Sequence, residues 1–183
     1  MMKFLKKCLA VLTAILLMAS FAYFVLLPRV LPRDYREYIE KYTRQYQLEE
    51  SLVYAVIFCE SHFDADVVSA AGAIGLMQVT QETGWWVAQQ IGLDAETLNL
   101  KDPETNIQIG CWYLHWLEDK FGGVRETMLA GYNAGHGNVA KWLADEKKSR
   151  DGLTLDEIPY QETRSYVARV RYMELIYRTL YRL

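Results

Sequence analysis

Apolar side chains recur along most of this chain at offsets of three and four, the period of a helix with one buried face. Leu52, Val53, Val56 and Ile57 make the clearest stripe. One more step along it arrives at Glu60, three residues past Ile57 and four past Val56, and Phe63 follows three residues later. Upstream, Tyr35, Tyr38, Ile39, Tyr42 and Tyr46 predict a helix that packs through a tyrosine face. Downstream, a helix is expected from Thr80 to Gly92, with Trp85, Trp86, Val87 and Ile91. Asp102-Pro103 reads as N-cap and first position of the next, which carries Ile107, Cys111, Leu114 and Leu117 and ends at Phe121-Gly122-Gly123. Further helices are predicted from Arg125 to Asn133 and from Asn138 to about Lys148. A terminal helix follows with Val167, Val170, Met173, Leu175 and Ile176 inward. No stretch shows the alternation of a half-buried strand, so the expected fold class is all-α or nearly so.

The N-terminus follows another pattern. Lys3, Lys6 and Lys7 precede an apolar run from Cys8 to Leu27, and twenty residues at helical rise cover about 30 Å, one hydrocarbon thickness. Residues 1–27 are therefore expected to be an uncleaved, single-pass membrane anchor, with the basic cluster favouring a cytoplasmic N-terminus. Ser20-Phe21-Ala22 is a weak cleavage site for the alternative, a signal peptide, because the apolar run continues beyond it. Residues 28–33 (PRVLPR) read as a short, semi-extended tether, and 34–183 as one domain outside the cytoplasm.

Charge narrows the partners. The three lysines ahead of the apolar run are three of 20 basic residues, so the rest of the chain carries 17 against 23 acidic ones. Nucleic acid binding calls for a basic surface and is not expected. Cys8, Cys59 and Cys111 have no metal-ligand spacing; Cys8 lies in the apolar run, and Cys59 and Cys111 read as buried free thiols rather than a bridge; no metal or cofactor is expected. Thirteen tyrosines and five tryptophans suit either a sugar-stacking groove or an aromatic core.

The chemistry centres on Glu60. A carboxyl at the edge of an apolar stripe loses solvation of its charged form, which raises its pKa and suits it to donate a proton to a poor leaving group. A half-exposed glutamate paired with an arginine remains open from this stretch alone. The segment Ala70–Gly75 that follows is too rich in small residues to pack as a helix face, and its glycines allow unusual backbone geometry or close approach. A second carboxylate, which most glycosidases need, does not stand out: Asp64 and Asp66 lie in a polar exit from the helix, and Glu162 has equally good structural readings.

Glu60-Ser61, Phe63 and Gly72-Ala73-Ile74-Gly75-Leu76-Met77-Gln78 resemble the first two motifs of the soluble lytic transglycosylase catalytic domain, a family related in fold to goose-type lysozyme. DPETNIQIGCWYLHWL is similar to its DPxxNIxxGxxYL stretch. Gly131-Tyr132-Asn133-Ala134-Gly135 and the segment from Ile158 to Val167 match two more motifs in the family's order. The likeness spans roughly Asp34 to Tyr172. It implies a lysozyme-like helical domain that cleaves the β-1,4 bond between N-acetylmuramic acid and N-acetylglucosamine in peptidoglycan, leaving a 1,6-anhydro end, with Glu60 acting as acid and then base. By the same resemblance Ser69, Met77, Gln78, Tyr132, Asn133 and Tyr166 would bind substrate or position the carboxyl. Gln81, Gly131 and His136 depart from the family's usual Pro, Ala and Pro, which touches subsite geometry rather than proton transfer. His62 reads as surface. Two rivals stay open: a lysozyme that uses water, and a catalytically idle peptidoglycan-binding scaffold. Glycan strands and a membrane are the expected partners; protein partners are not specified.

Overall fold

The computed structural model describes the backbone of residues 2–183 and, within it, every side chain except those at 2, 5, 8–10, 22, 24 and 28. The chain divides into two units, one ending at Asp34 and the other running Tyr35–Leu183.

The first unit is helix α1 (Met2–Phe21), a π-helical turn (Ala22–Leu26) and the short α2 (Leu27–Val30). Leu16, Leu17 and Met18 of α1 are exposed. Among the described residues no helix is long and apolar enough to cross a membrane. The run expected to do so includes positions 8–10, 22 and 24, which lie outside the described side chains. The tether is less extended than its two prolines suggested. Pro28 stands in the first turn of α2, where its missing N–H costs nothing, so helix continues to Val30.

The second unit is built around α4 (Glu50–Ser61). Ser51 through Ile57 are all buried, so α4 is a central helix enclosed on every side rather than the one-faced helix that its strongest stripe suggested. Its main partner is α9 (Gln161–Tyr181), which turns Thr163, Tyr166, Val167, Val170, Met173 and Tyr177 inward. The inward register continues from Val170 and Met173 to Tyr177. Leu175 therefore falls on the outer face at 52% exposure and Ile176 is only half-buried, against the sequence expectation. Helix α3 (Arg36–Tyr46) packs on α6 (Pro103–Lys120) through its tyrosine face: Tyr42 and Tyr46 stack, and the Tyr42 hydroxyl donates to Glu104 at 3.0 Å. Helix α5 (Gln81–Ile91) also lies on α6, and α7 (Arg125–Ala134) packs on α8 (His136–Leu143) and α9. Two of the predicted caps are present, Asp102 accepting from Thr105 N at 2.9 Å and Gly92 closing α5 in the left-handed region. Helix α8 starts two residues before the predicted Asn138, directly after Gly135 (φ 85°). It stops at Leu143 rather than Lys148, where Asp145 takes over the following turn by accepting from Lys147 N.

Helix is not quite everything. Ala73–Ile74 (β1) and Val79–Thr80 (β2) pair antiparallel as a ribbon of two residues each, too short to show an alternation. The ribbon frames Gly75-Leu76-Met77-Gln78 and is anchored from below by Asn106, fully buried in the first turn of α6. The Asn106 amide donates to Ile74 O at 2.9 Å and Leu100 O at 2.7 Å, and its oxygen accepts from Met77 N at 2.8 Å. Gly75 (φ 76°) is needed there, because a Cβ would stand 2.5 Å from Leu100 O and 2.6 Å from the Asn106 amide nitrogen.

Candidate active site

Glu60 occupies the last turn of α4, and the helix ends immediately after it. His62 (φ 52°) and Phe63 (φ 66°) are both left-handed and turn the chain out of the helix. Ser61 fastens the glycine ribbon to that end. Its buried hydroxyl is shared between Leu76 O at 2.9 Å and Ile57 O at 3.2 Å. Ser61 thus ties the ribbon to the turn of α4 that carries Glu60.

Burial pushes the Glu60 carboxyl up to about 7. The Tyr166 hydroxyl and the positive charge of Arg169 act against this, and the negative charge of Glu162 adds to it. Glu162, Tyr166 and Arg169 stand at i, i+4 and i+7 on α9, hence on one face. Tyr166 is 2% exposed and its hydroxyl makes no hydrogen bond of normal length, although it is near enough to favour the ionised Glu60. Burial, then the Glu60 charge, hold both Tyr166 and Tyr132 far above the ordinary tyrosine range. Both stay neutral donors at any working pH. A carboxyl poised near 7 beside two such hydroxyls can give up a proton and take one back without a large penalty in either direction.

Tyr132 links this carboxyl to a cleft. Its hydroxyl donates to Met77 O at 2.8 Å. Its ring, with Gln78, Thr80, Thr83, Tyr113 and Asn133, lines a concavity of ≈ 280 Å³. Gln78 (φ 47°) is pinned by its own amide, which donates to Gly75 O at 3.0 Å and Val67 O at 3.2 Å. The Asn133 side-chain oxygen accepts from the Thr163 hydroxyl at 2.8 Å, so α7 and α9 are tied together at the site.

Of the residues singled out from sequence, Glu60, Tyr132 and Tyr166 converge electrostatically, and Gln78, Tyr132 and Asn133 share the cleft. Met77 is placed otherwise. Its side chain is fully buried and packs against Gly110, which has no room for a Cβ beside it; its contribution to the site is the carbonyl that holds Tyr132. The Ser69 hydroxyl accepts from Ala73 N at 3.0 Å and closes its own loop. His62 is exposed, as expected.

Sequence reasoning passed over Asn106, Thr163 and Arg169. Asn106 lies inside the DPETN stretch and Thr163 inside the segment from Ile158 to Val167, both quoted as motifs without a task for each residue. The spacing of Arg169 from Glu162 and Tyr166 was a readable signal. Cys59 and Cys111 are free thiols, and burial raises Cys59 to about 11, which leaves it inert beside Glu60.

Comparison with known proteins places these features among relatives. The profile of the transglycosylase SLT domain matches residues 37–154. The soluble lytic murein transglycosylase of Escherichia coli (strain K12) is 34% identical over 150 residues, which make up 80% of this chain and 23% of that protein. The membrane-bound lytic murein transglycosylase C of Serratia proteamaculans (strain 568) is 32% identical over 166 residues, 79% of this chain and 46% of that one. The chain thus spans less than a quarter of the first relative and less than half of the second. Among solved structures, an inactive glutamate-to-glutamine mutant of the lytic transglycosylase Slt from Pseudomonas aeruginosa matches with a TM-score of 0.74 and 33% identity, over 84% of this chain and 25% of that one.

Proposed function

The chain belongs to the transglycosylase SLT domain family, and from that membership we propose that it is a membrane-anchored peptidoglycan lytic transglycosylase with Glu60 as its single acid and base. The observation that carries the proposal is a carboxyl raised to about 7 by burial whose charge acts on Tyr132, a residue that lines a cleft with Gln78 and Asn133.

The reaction runs in two proton transfers. Protonated Glu60 gives its proton to the oxygen between N-acetylmuramic acid and N-acetylglucosamine, and the bond from that oxygen to the muramyl C1 breaks. Positive charge grows on C1, where the sugar's own acetamido oxygen assists. Glu60, now ionised, takes the proton of the muramyl C6 hydroxyl as O6 bonds to C1, giving the 1,6-anhydro end. No water is consumed and the carboxyl returns to its starting state. Tyr166 offers its hydroxyl dipole to the carboxylate form, Tyr132 is held on Met77 O beside it, and the Thr163–Asn133 bond orients an amide toward the acetamido group.

Glu162 favours a second reading. Its negative charge reaches Glu60 from the first turn of α9, so a carboxylate is present that could activate water, as in inverting glycosidases. A muropeptide digest separates the two. Anhydro-ended products are expected; a digest with reducing ends alone would assign the chain to the hydrolases. The profile of kcat/KM is expected to be flat at acidic pH and to fall about tenfold per pH unit above about 7, because the first step needs the protonated acid. A profile that rises through pH 7 would remove Glu60 from that step.

The anchoring half of the proposal rests on the three lysines followed by the apolar run at 8–27 and on the exposed leucines of α1; it places the second unit outside the cytoplasm, where the wall is. Membranes washed with alkaline carbonate should retain the protein. Its complete release into the wash would sink the anchor and leave the chemistry standing.

A further inference from the structure

Helix α5 borders two concavities. Thr80 and Thr83, its N-cap and first turn, line the cleft that Tyr132 shares. On its next face Gln81, Trp85 and Gln89 recur at four-residue spacing and, with Ala95, Glu96 and Leu98, line a second cleft of ≈ 510 Å³. Only the first turn of the helix separates the two.

The second cleft is built rather than incidental. Gly84 lets α5 approach its far wall: a Cβ there would stand 3.1 Å from the Leu100 methyls and 3.2 Å from Leu98. Asp94 holds that wall, accepting from Glu96 N at 2.9 Å and from the Thr97 hydroxyl at 3.1 Å. Against it stands Trp85, half exposed, a large ring whose burial would be favourable and which the fold leaves open.

The lining defines the ligand. An indole face suits the C–H face of a pyranose ring. Two primary amides can each donate and accept, matching hydroxyl and acetamido groups. The carboxylate of Glu96, with no lysine or arginine in the lining, disfavours phosphate and anionic lipid surfaces. We propose that this cleft holds a non-reacting, uncharged N-acetylhexosamine of the same glycan strand that Glu60 cuts, so that a strand leaving the catalytic cleft crosses the first turn of α5 and lies along Gln81, Trp85 and Gln89. The proposal rests on the reading of the chain as a peptidoglycan-cleaving enzyme, but binding is measurable without cleavage.

The full chain carrying Glu60→Gln, in detergent, is titrated with the tetramer of N-acetylglucosamine. The Trp85 indole N–H resonance, identified by its loss in Trp85→Phe, is expected to shift on titration. Trp85→Ala should weaken binding about tenfold, the size of one lost stacking contact, and Trp85→Phe by less. An indole resonance unmoved at saturation, or equal affinity in Trp85→Ala, overturns the proposal. So does Trp85-dependent binding to vesicles of anionic phospholipid without any to the sugar, which would assign the face to a membrane. Binding of the tetramer through Trp85 in a chain whose wild-type form cuts no peptidoglycan would sink the role of Glu60 and leave this cleft as a glycan-binding site.

Discussion

Glu60→Gln is expected to lower peptidoglycan cleavage by at least 10²–10⁴-fold and, at the same time, to make the folded protein more stable above neutral pH. The first effect follows from shape without chemistry: glutamine fills the same space, but can neither give the glycosidic oxygen a proton nor accept one from the C6 hydroxyl. The second follows from the same burial that prepares the acid. The carboxyl titrates at about 7 in the folded chain, against an ordinary value of 4.5. Below pH 4.5 it is protonated whether folded or not and has no effect. Between 4.5 and 7 the unfolded chain loses this proton first and so holds fewer protons than the folded one, and stability falls as pH rises. Above 7 the full cost is reached, about 3 kcal/mol. Glutamine stays neutral throughout and escapes it. Urea unfolding at pH 5 and pH 8.5, beside a muropeptide digest, reads both. Residual activity above a tenth of wild type would mean that the carboxyl is not the acid, and a stability gap that does not widen with pH would mean that it is not desolvated.

What could be read from the chain, and what could not, divides along a physical line. Periodicity located the helix that ends at Glu60 because local packing repeats every three or four residues. It could not say that Tyr54 and Ala55 would be enclosed as well, since that depends on α9 arriving from over a hundred residues away. The same limit misplaced Leu175: over so short a window its register fits the apolar stripe, and only the continuation through Val170, Met173 and Tyr177 shows which face is inward. For the site, the competing sequence reading of Glu60 as an arginine-paired glutamate is partly present in Arg169. Burial outweighs it, a comparison of magnitudes that no motif encodes. Met77 was assigned to the sugar by its place in a motif, whereas it is the peptide of Met77, not its side chain, that the motif sets in position.

That peptide is why Asn106→Ala should cost both stability and activity. The amide of Asn106 satisfies three backbone groups at once: the buried N–H of Met77, the buried carbonyl of Leu100 and the part-buried carbonyl of Ile74. Alanine removes the partner of all three. At about 1–3 kcal/mol for each orphaned group, the unfolding free energy is expected to fall by about 3 kcal/mol or more. Activity should fall with it even in folded protein, because Met77 O, on the next peptide unit, fixes the Tyr132 hydroxyl. Asn106→Asp tests the assignment of the amide. It keeps an acceptor for Met77 N–H but turns an oxygen toward two carbonyls, an arrangement tolerable only while the acid is protonated. Its folded pKa must then lie above the unfolded value of about 3.9, so its stability deficit should be small at pH 4 and grow as pH rises. A deficit equal at pH 4 and pH 8 would mean that the Asn106 amide nitrogen does not face those carbonyls, and the ribbon above Glu60 would need another anchor.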